Sequence, residues 1–195
     1  MSGVKELAYV VYEVSDLADW ERFGVDLLGM QIGEKLDDGF TLRTDERAHR
    51  WIITEGPADD LVVSGYEVES AQALDALVEA LTTSGATVTE GDAALAEARK
   101  VDRVVQTTDP MGNRIELVLN PRNADTPFTS TMLLGGFVTG AGGAGHQVLL
   151  AHGTPRETYL AFYQDLLGFR ISDIIIEELA PGIVADLIFL HCNPR

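Results

Sequence analysis

The chain has 195 residues, 46% of them hydrophobic, and a formal net charge of −17 from 31 acidic and 14 basic side chains. No run of Lys or Arg forms a patch able to release phosphate counterions, which argues against nucleic-acid binding, and no stretch approaches the roughly 18 to 20 apolar residues of a membrane helix. Cys192 is the only cysteine, so an internal disulfide and a thiolate metal cluster are excluded and any metal needs histidine and carboxylate ligands.

The N-terminus carries Lys5, Glu6, Glu13 and Asp16 where a secretory leader is apolar, so a cytoplasmic protein is expected. Leu7 to Val14 reads as a strand. A helix follows, with Trp20, Phe23, Leu27 and Leu28 on one face, and Gly29 ends it in a left-handed turn. Strands are then expected at Met30–Lys35, Phe40–Arg43 and Trp51–Thr54, separated by turn formers such as Asp37-Asp38-Gly39. The unit is β-α-β-β-β.

A second unit of this kind has a strand at Val62–Val68, a helix at Ala71–Ser84 stopped by Gly85, and strands near Ala86–Val88, Val101–Thr107 and Arg114–Leu119. Asp109-Pro110-Met111-Gly112-Asn113 forms its last turn. These two units make an N-terminal domain of residues 1–121, followed by a linker at 122–131.

The third unit is announced by a repeat. Phe23-Gly24-Val25-Asp26-Leu27-Leu28-Gly29-Met30 returns as Phe162-Tyr163-Gln164-Asp165-Leu166-Leu167-Gly168-Phe169, at an offset of 139, with Tyr159 in the place of Trp20. His146 to Ala151 is the preceding strand, Arg156–Leu167 the helix, and Phe169–Ile176 and Ala185–Asn193 the later strands. Aligning Phe40 with Ile188 raises the offset to 148, which places a nine-residue insertion in a loop around Pro181-Gly182. No counterpart of Trp51–Thr54 follows. The third unit, residues 132–195, is therefore expected to be incomplete, with an unpaired strand edge and a C-terminus that is poorly ordered or covered by a partner. The fold class is α+β.

Together these residues resemble the type I extradiol dioxygenases of the vicinal oxygen chelate superfamily. The resemblance is carried by Val14-Ser15-Asp16-Leu17 with Trp20, Leu28-Gly29-Met30-Gln31, Asp59-Asp60-Leu61, Asp109-Pro110-Met111-Gly112-Asn113 and Gly142 to His146. Further along it is carried by Phe162-Tyr163, Leu167-Gly168-Phe169, Ser172-Asp173 and Phe189-Leu190-His191-Cys192-Asn193-Pro194-Arg195. It implies paired βαβββ modules, two in the first domain and an incomplete one in the second. It also implies a single Fe(II), held by two histidines and a glutamate, that brings a catechol such as a dihydroxybiphenyl together with O2 for ring cleavage.

One of those ligands matches, His146. By itself a histidine at the head of an apolar strand is more often structural than a ligand; the glycines before it, Gly140, Gly142, Gly143 and Gly145, allow close backbone approach, and the resemblance favours the ligand reading. Val148 and Phe189 are either the apolar wall of the catechol site or ordinary core. The second metal histidine, the metal glutamate and the acid/base histidine lie, in the family, after Arg195, so the 195 residues alone are expected not to cleave a ring. His191 reads as strand packing, and His49 and His152 as structural or surface residues. Glu116 stands where the family's metal glutamate would fall in the first domain, but a salt bridge is its expected role. The resemblance further implies a homo-oligomer. The competing readings are a non-catalytic small-molecule binding protein of the glyoxalase fold and a metal-dependent lyase or isomerase of the glyoxalase type.

Overall fold

A computed structural model describes residues 3–139, 142–151 and 153–192. Gly140, His152 and Asn193-Pro194-Arg195, named above, lie outside the described residues. Within them the chain runs β1 (Val4–Val14), α1 (Leu17–Arg22), β2 (Gln31–Leu36), β3 (Gly39–Arg43), β4 (Trp51–Glu55), β5 (Asp60–Val68), α2 (Ala71–Thr83), β6 (Thr89–Glu90), α3 (Ala93–Ala98), β7 (Arg103–Thr108), β8 (Arg114–Leu119), α4 (Arg156–Leu160), β9 (Arg170–Ala180) and β10 (Ile183–His191).

The first eight strands form one mixed sheet in the order β2-β3-β4-β1-β5-β8-β7-β6. Its symmetry is that of two βαβββ units joined through their first strands. β1 lies parallel to β4, β5 lies parallel to β8, and β1 meets β5 antiparallel. Flanked on both sides and covered on both faces, β1 is apolar almost throughout, with Val4, Leu7, Ala8, Tyr9, Val10, Val11 and Val14 buried. α2 starts at Ser70, whose hydroxyl accepts from the Ala73 amide, and buries Leu74, Leu77 and Leu81 at helical spacing.

The repeat holds at the level of single hydrogen bonds. After α1 and after α4 the helix widens into one π-helical turn, at Phe23–Leu27 and Ala161–Leu166. Leu28 N–H bonds to Phe23 O at 3.0 Å and Leu167 N–H to Phe162 O at 3.1 Å. The pairs Gly29 to Val25 and Gly168 to Gln164 are both 3.2 Å, and Gly29 and Gly168 have φ of 76° and 77°. The two units differ where they pack. A Cβ on Gly24 would come within 2.5 Å of Leu42, whereas its counterpart Tyr163 is a large side chain buried in the main core with Phe162, Leu167 and Phe169.

Three expectations are corrected. Residues 146–151 form no strand: their first-unit counterpart is held by β4 and β5 on either side, and among the described residues no strand lies beside 146–151. The strand near Ala86–Val88 is replaced by the two-residue β6, paired with β7, while Ala86 and Val88 pack against the core and the unpredicted helix α3 follows. The nine extra residues make no loop. They lengthen a hairpin, so that β9 and β10 have 11 and 9 residues against 6 and 5 in β2 and β3, joined at Pro181-Gly182. Among the described residues β10 is paired with β9 alone, in a two-stranded sheet.

The segment read as a linker folds back on the first unit. Ala48 N–H bonds to Arg122 O, Arg43 donates to Thr126 O at 2.9 Å, and Phe128 stacks edge-on with Phe137.

Candidate functional site

In the first pair of units the position corresponding to a metal carboxylate is closed. Glu116 on β8 is 1% exposed. It accepts from Tyr9 Oη at 2.6 Å, Arg99 Nε at 2.7 Å, Arg99 Nη2 at 3.2 Å and Gln106 Nε2 at 3.1 Å. Burial, the largest single influence, would raise its pKa, but the Arg99 guanidinium together with the Tyr9 and Gln106 hydrogen bonds holds the carboxyl below its ordinary value. Tyr9 is pushed well up, first by burial and then by the charge of Glu116, so it stays a donor. His49 packs edge-on against Tyr9, 5.5 Å between ring centres, and burial together with Arg99, Lys100 and Arg50 lowers its pKa to about 3. The expected salt bridge of Glu116 and the structural role of His49 are both present.

The second candidate place is the segment 142–151. Gly143, with φ of 57°, sits so close to β1 that a Cβ would lie 2.5 Å from Leu7 O. The next residue bonds to that carbonyl, Ala144 N–H to Leu7 O at 2.7 Å. Gln147 then anchors the chain with both ends of its amide. Its oxygen accepts from Ser64 Oγ at 2.9 Å, and its nitrogen donates to Tyr66 Oη at 2.8 Å. Between these anchors His146 is exposed to solvent.

Val148 is 76% exposed and Phe189, on β10, 47% exposed, so neither is core. Their neighbours Leu149 and Leu190 pack against the same apolar cluster, together with Cys192. His191 is half-buried in β10, opposite Arg170.

Among the described residues no group of three His, Cys, Asp or Glu side chains is placed to hold a metal ion, and His146 stands as a single exposed imidazole. A separate open cleft of about 480 Å³ lies between the end of α2 and α4, lined by Ser84, Thr108, Asp109, Thr158, Phe162 and Asp165 among others, and includes none of His146, Val148 and Phe189. Two anchors were not anticipated from the sequence: Gln147, and the bond from Tyr163 Oη to Asp109 Oδ2 at 2.8 Å. The Asp-Pro-Met-Gly-Asn turn was the only signal for the second.

Residues 7–56 match the family model described as Dihydroxybiphenyl dioxygenase BphC D1. Over 194 residues, 99% of the chain, it is 36% identical to a biphenyl-2,3-diol 1,2-dioxygenase of Metapseudomonas furukawaii, covering 63% of that protein. A 3-methylcatechol 2,3-dioxygenase of Pseudomonas putida is likewise 36% identical over 99% of the chain, with 66% of its own length covered. A solved catechol 2,3-dioxygenase superposes with a TM-score of 0.90 at 32% identity, over 99% of this chain and 64% of that one. The chain thus spans less than two thirds of the length of the relatives it matches. By sequence along almost all of its residues and by its paired βαβββ architecture, the chain belongs to the extradiol dioxygenases of the vicinal oxygen chelate superfamily.

Proposed function

We propose that the protein represented by this chain cleaves a catechol ring in the extradiol sense with Fe(II) and O2, and that these 195 residues alone do not complete the iron site. The reading rests on the 36% identity to a biphenyl diol dioxygenase over 194 residues. The first two units, residues 1–121, act as a non-catalytic domain joined through 122–131 to the part that bears the site, 132–195.

In this reading His146 supplies one imidazole to the metal. Its position comes from the neighbours, since Gly143 and Ala144 lock the chain to Leu7 and Gln147 locks it to Ser64 and Tyr66. Val148 and Phe189 offer apolar surface to the aromatic ring, and their exposure supports this wall over the alternative of core packing. The competing idea is a non-catalytic small-molecule binding protein of the glyoxalase fold; in the first two units the Glu116 carboxylate offers it no open group, being occupied by donors from this chain.

Two measurements test the proposal. The 195-residue chain, loaded anaerobically with Fe(II) and given 2,3-dihydroxybiphenyl and O2, is expected to form no yellow ring-opened product; its appearance would show that one histidine suffices. A chimera that continues after Arg195 with the part of the Metapseudomonas furukawaii sequence this chain does not match is expected to cleave the diol, and to lose that activity in His146→Ala. A folded, iron-loaded chimera without activity, or one indifferent to His146→Ala, sinks the assignment.

A further inference from the structure

The two faces of β8 differ. Ile115, Leu117 and Leu119 join Leu74 and Leu77 of α2 and Phe162 of the third unit in the main core. Arg114 and Glu116 alternate with them along the strand and so project from the opposite face, away from the third unit. There the strand pairing sets Thr108 across from Arg114 and Gln106 across from Glu116, with Thr89 beyond Gln106. Thr87 is held nearby through its carbonyl, which accepts from Thr107 Oγ1 at 2.9 Å. These residues line a cavity of about 170 Å³. Among the described residues, the one carboxylate on its wall is Glu116, whose oxygens are filled by Tyr9, Arg99 and Gln106.

Arg114 stands apart from the other cations. Among the described residues every other lysine and arginine is engaged by another group of the protein, as Arg103 is by Asp75 and Glu90 and Arg43 by the carbonyls of Arg47 and Thr126. With 31 acidic side chains against 14 basic ones, a carboxylate partner is easy to find in this chain. Arg114 has none, and its exposed guanidinium borders the cavity. The hydroxyls of Thr87, Thr89 and Thr108 likewise bond to no other described group.

We infer that Arg114 and the threonines around it form a binding site for a compact oxyanion, a carboxylate or phosphate group. A guanidinium presents parallel N–H groups that match two oxygens of one such anion, and the threonine hydroxyls add neutral donors from the neighbouring strands. The local charge has the right sign. Arg99 cancels Glu116, so Arg114 is left in excess at the cavity. His49, packed against Tyr9 beside this cluster, responds to the same cations: after burial, it is Arg99, Lys100 and Arg50 that lower its pKa to about 3. Size limits the occupant. The cavity is smaller than the roughly 300 Å³ at which sites for drug-sized molecules begin, so it suits a small ion and not an aromatic diol. The site shares no residue with His146, Val148 and Phe189, and the inference does not depend on the ring-cleavage reading.

Nuclear magnetic resonance titrations of the 195-residue chain test the inference, with chloride replaced stepwise by acetate or by inorganic phosphate at constant ionic strength so that screening does not change. Expected are saturable shifts confined to the amides of Thr87, Thr89, Gln106, Thr108 and Arg114 and to the Arg114 Nε–H. Saturation by acetate alone assigns a carboxylate, by phosphate alone a phosphate group, and by both a site for either. Arg114→Gln, at an exposed position, is expected to keep the remaining amide spectrum and to weaken binding at least about tenfold. Arg22→Gln removes an equal charge from the exposed Asp19 pair on α1 and is expected to leave binding unchanged. The inference is overturned by shifts that do not saturate with either anion, by saturable shifts that map to other residues, by binding that survives Arg114→Gln, or by equal weakening in Arg22→Gln.

Discussion

Tyr163 donates its hydroxyl to Asp109 Oδ2 at 2.8 Å, and both side chains are 4% exposed. The aspartate does two jobs at once. Its Oδ1 accepts from the Met111 and Asn113 amides at 2.9 and 2.8 Å, and its Oδ2 from Asn113 Nδ2 at 2.9 Å, so the last turn of the second unit is built around the group that receives the third. Burial, followed by the proximity of Tyr66 and Asp109, pushes the Tyr163 pKa well up and keeps it a donor. Tyr163→Phe should therefore lower stability by about 1 kcal/mol, and Asp109→Ala by about 3 kcal/mol because it also strands the turn donors. Urea unfolding measures the totals. Amide exchange should show 156–169 opening faster in both variants, and unchanged exchange in Tyr163→Phe would mean that the bond does not hold the units together.

Glu116 and Arg99 form an ion pair whose carboxylate is 1% and whose guanidinium side chain is 14% exposed. Removing one partner of such a pair leaves a buried charge uncompensated, whereas removing both does not. Glu116→Gln is expected to cost about 3 kcal/mol, Arg99→Met a similar amount, and the double variant clearly less than their sum. A double-mutant cycle on urea midpoints checks this; strict additivity would show that the two groups do not depend on each other.

The part of this arrangement that was legible in the sequence is the part set by short-range rules. The Phe-to-Gly repeat announced two helix ends because a left-handed glycine after an apolar stripe has few other uses, and Gly29 and Gly168 agree within a degree in φ. The salt bridge of Glu116 followed from its alignment with a ligand position that lacks a partner histidine, but Arg99 could not be named, since it caps the unpredicted helix α3. At 146–151 the apolar run favoured a strand, yet strand formation depends on a neighbour to pair with, and the segment is fixed instead by Gln147 reaching residues more than eighty positions away. Pro181-Gly182 marked a turn correctly, while Glu177-Glu178-Leu179-Ala180 before it and Ile183-Val184 after it, which extend the hairpin, were read as loop.

Gly143 and Gly145 separate backbone strain from steric contact. Both have positive φ, 57° and 94°, but a Cβ at Gly143 meets Leu7 O at 2.5 Å and one at Gly145 meets nothing within 4 Å. Gly145→Ala should carry only the conformational cost, about 1 kcal/mol, while Gly143→Ala should also push the segment off β1 and break the Ala144 to Leu7 bond. Amide exchange at 144–149 is expected to accelerate far more in Gly143→Ala. Equal effects would mean that the close approach to Leu7 does not position His146.

His49 gives the fold a built-in sensitivity to mild acid. Its pKa is lowered to about 3 in the folded chain, by burial first and then by Arg99, Lys100 and Arg50, against about 6.5 in an unfolded one. Between these values the unfolded chain binds a proton that the folded chain refuses, so the contribution is complete above the unfolded pKa and is lost as pH falls toward the folded one. From pH 7.5 to pH 5 this single group should remove about 2 kcal/mol of stability. His49→Asn cannot titrate there and, whatever its stability at neutral pH, should show a correspondingly flatter profile. Urea unfolding followed by the fluorescence of Trp20 and Trp51 at both pH values measures the difference. If wild type and His49→Asn lose the same stability over this range, the histidine is not the group that senses the acid, and the buried contact with Tyr9 must tolerate the charged ring.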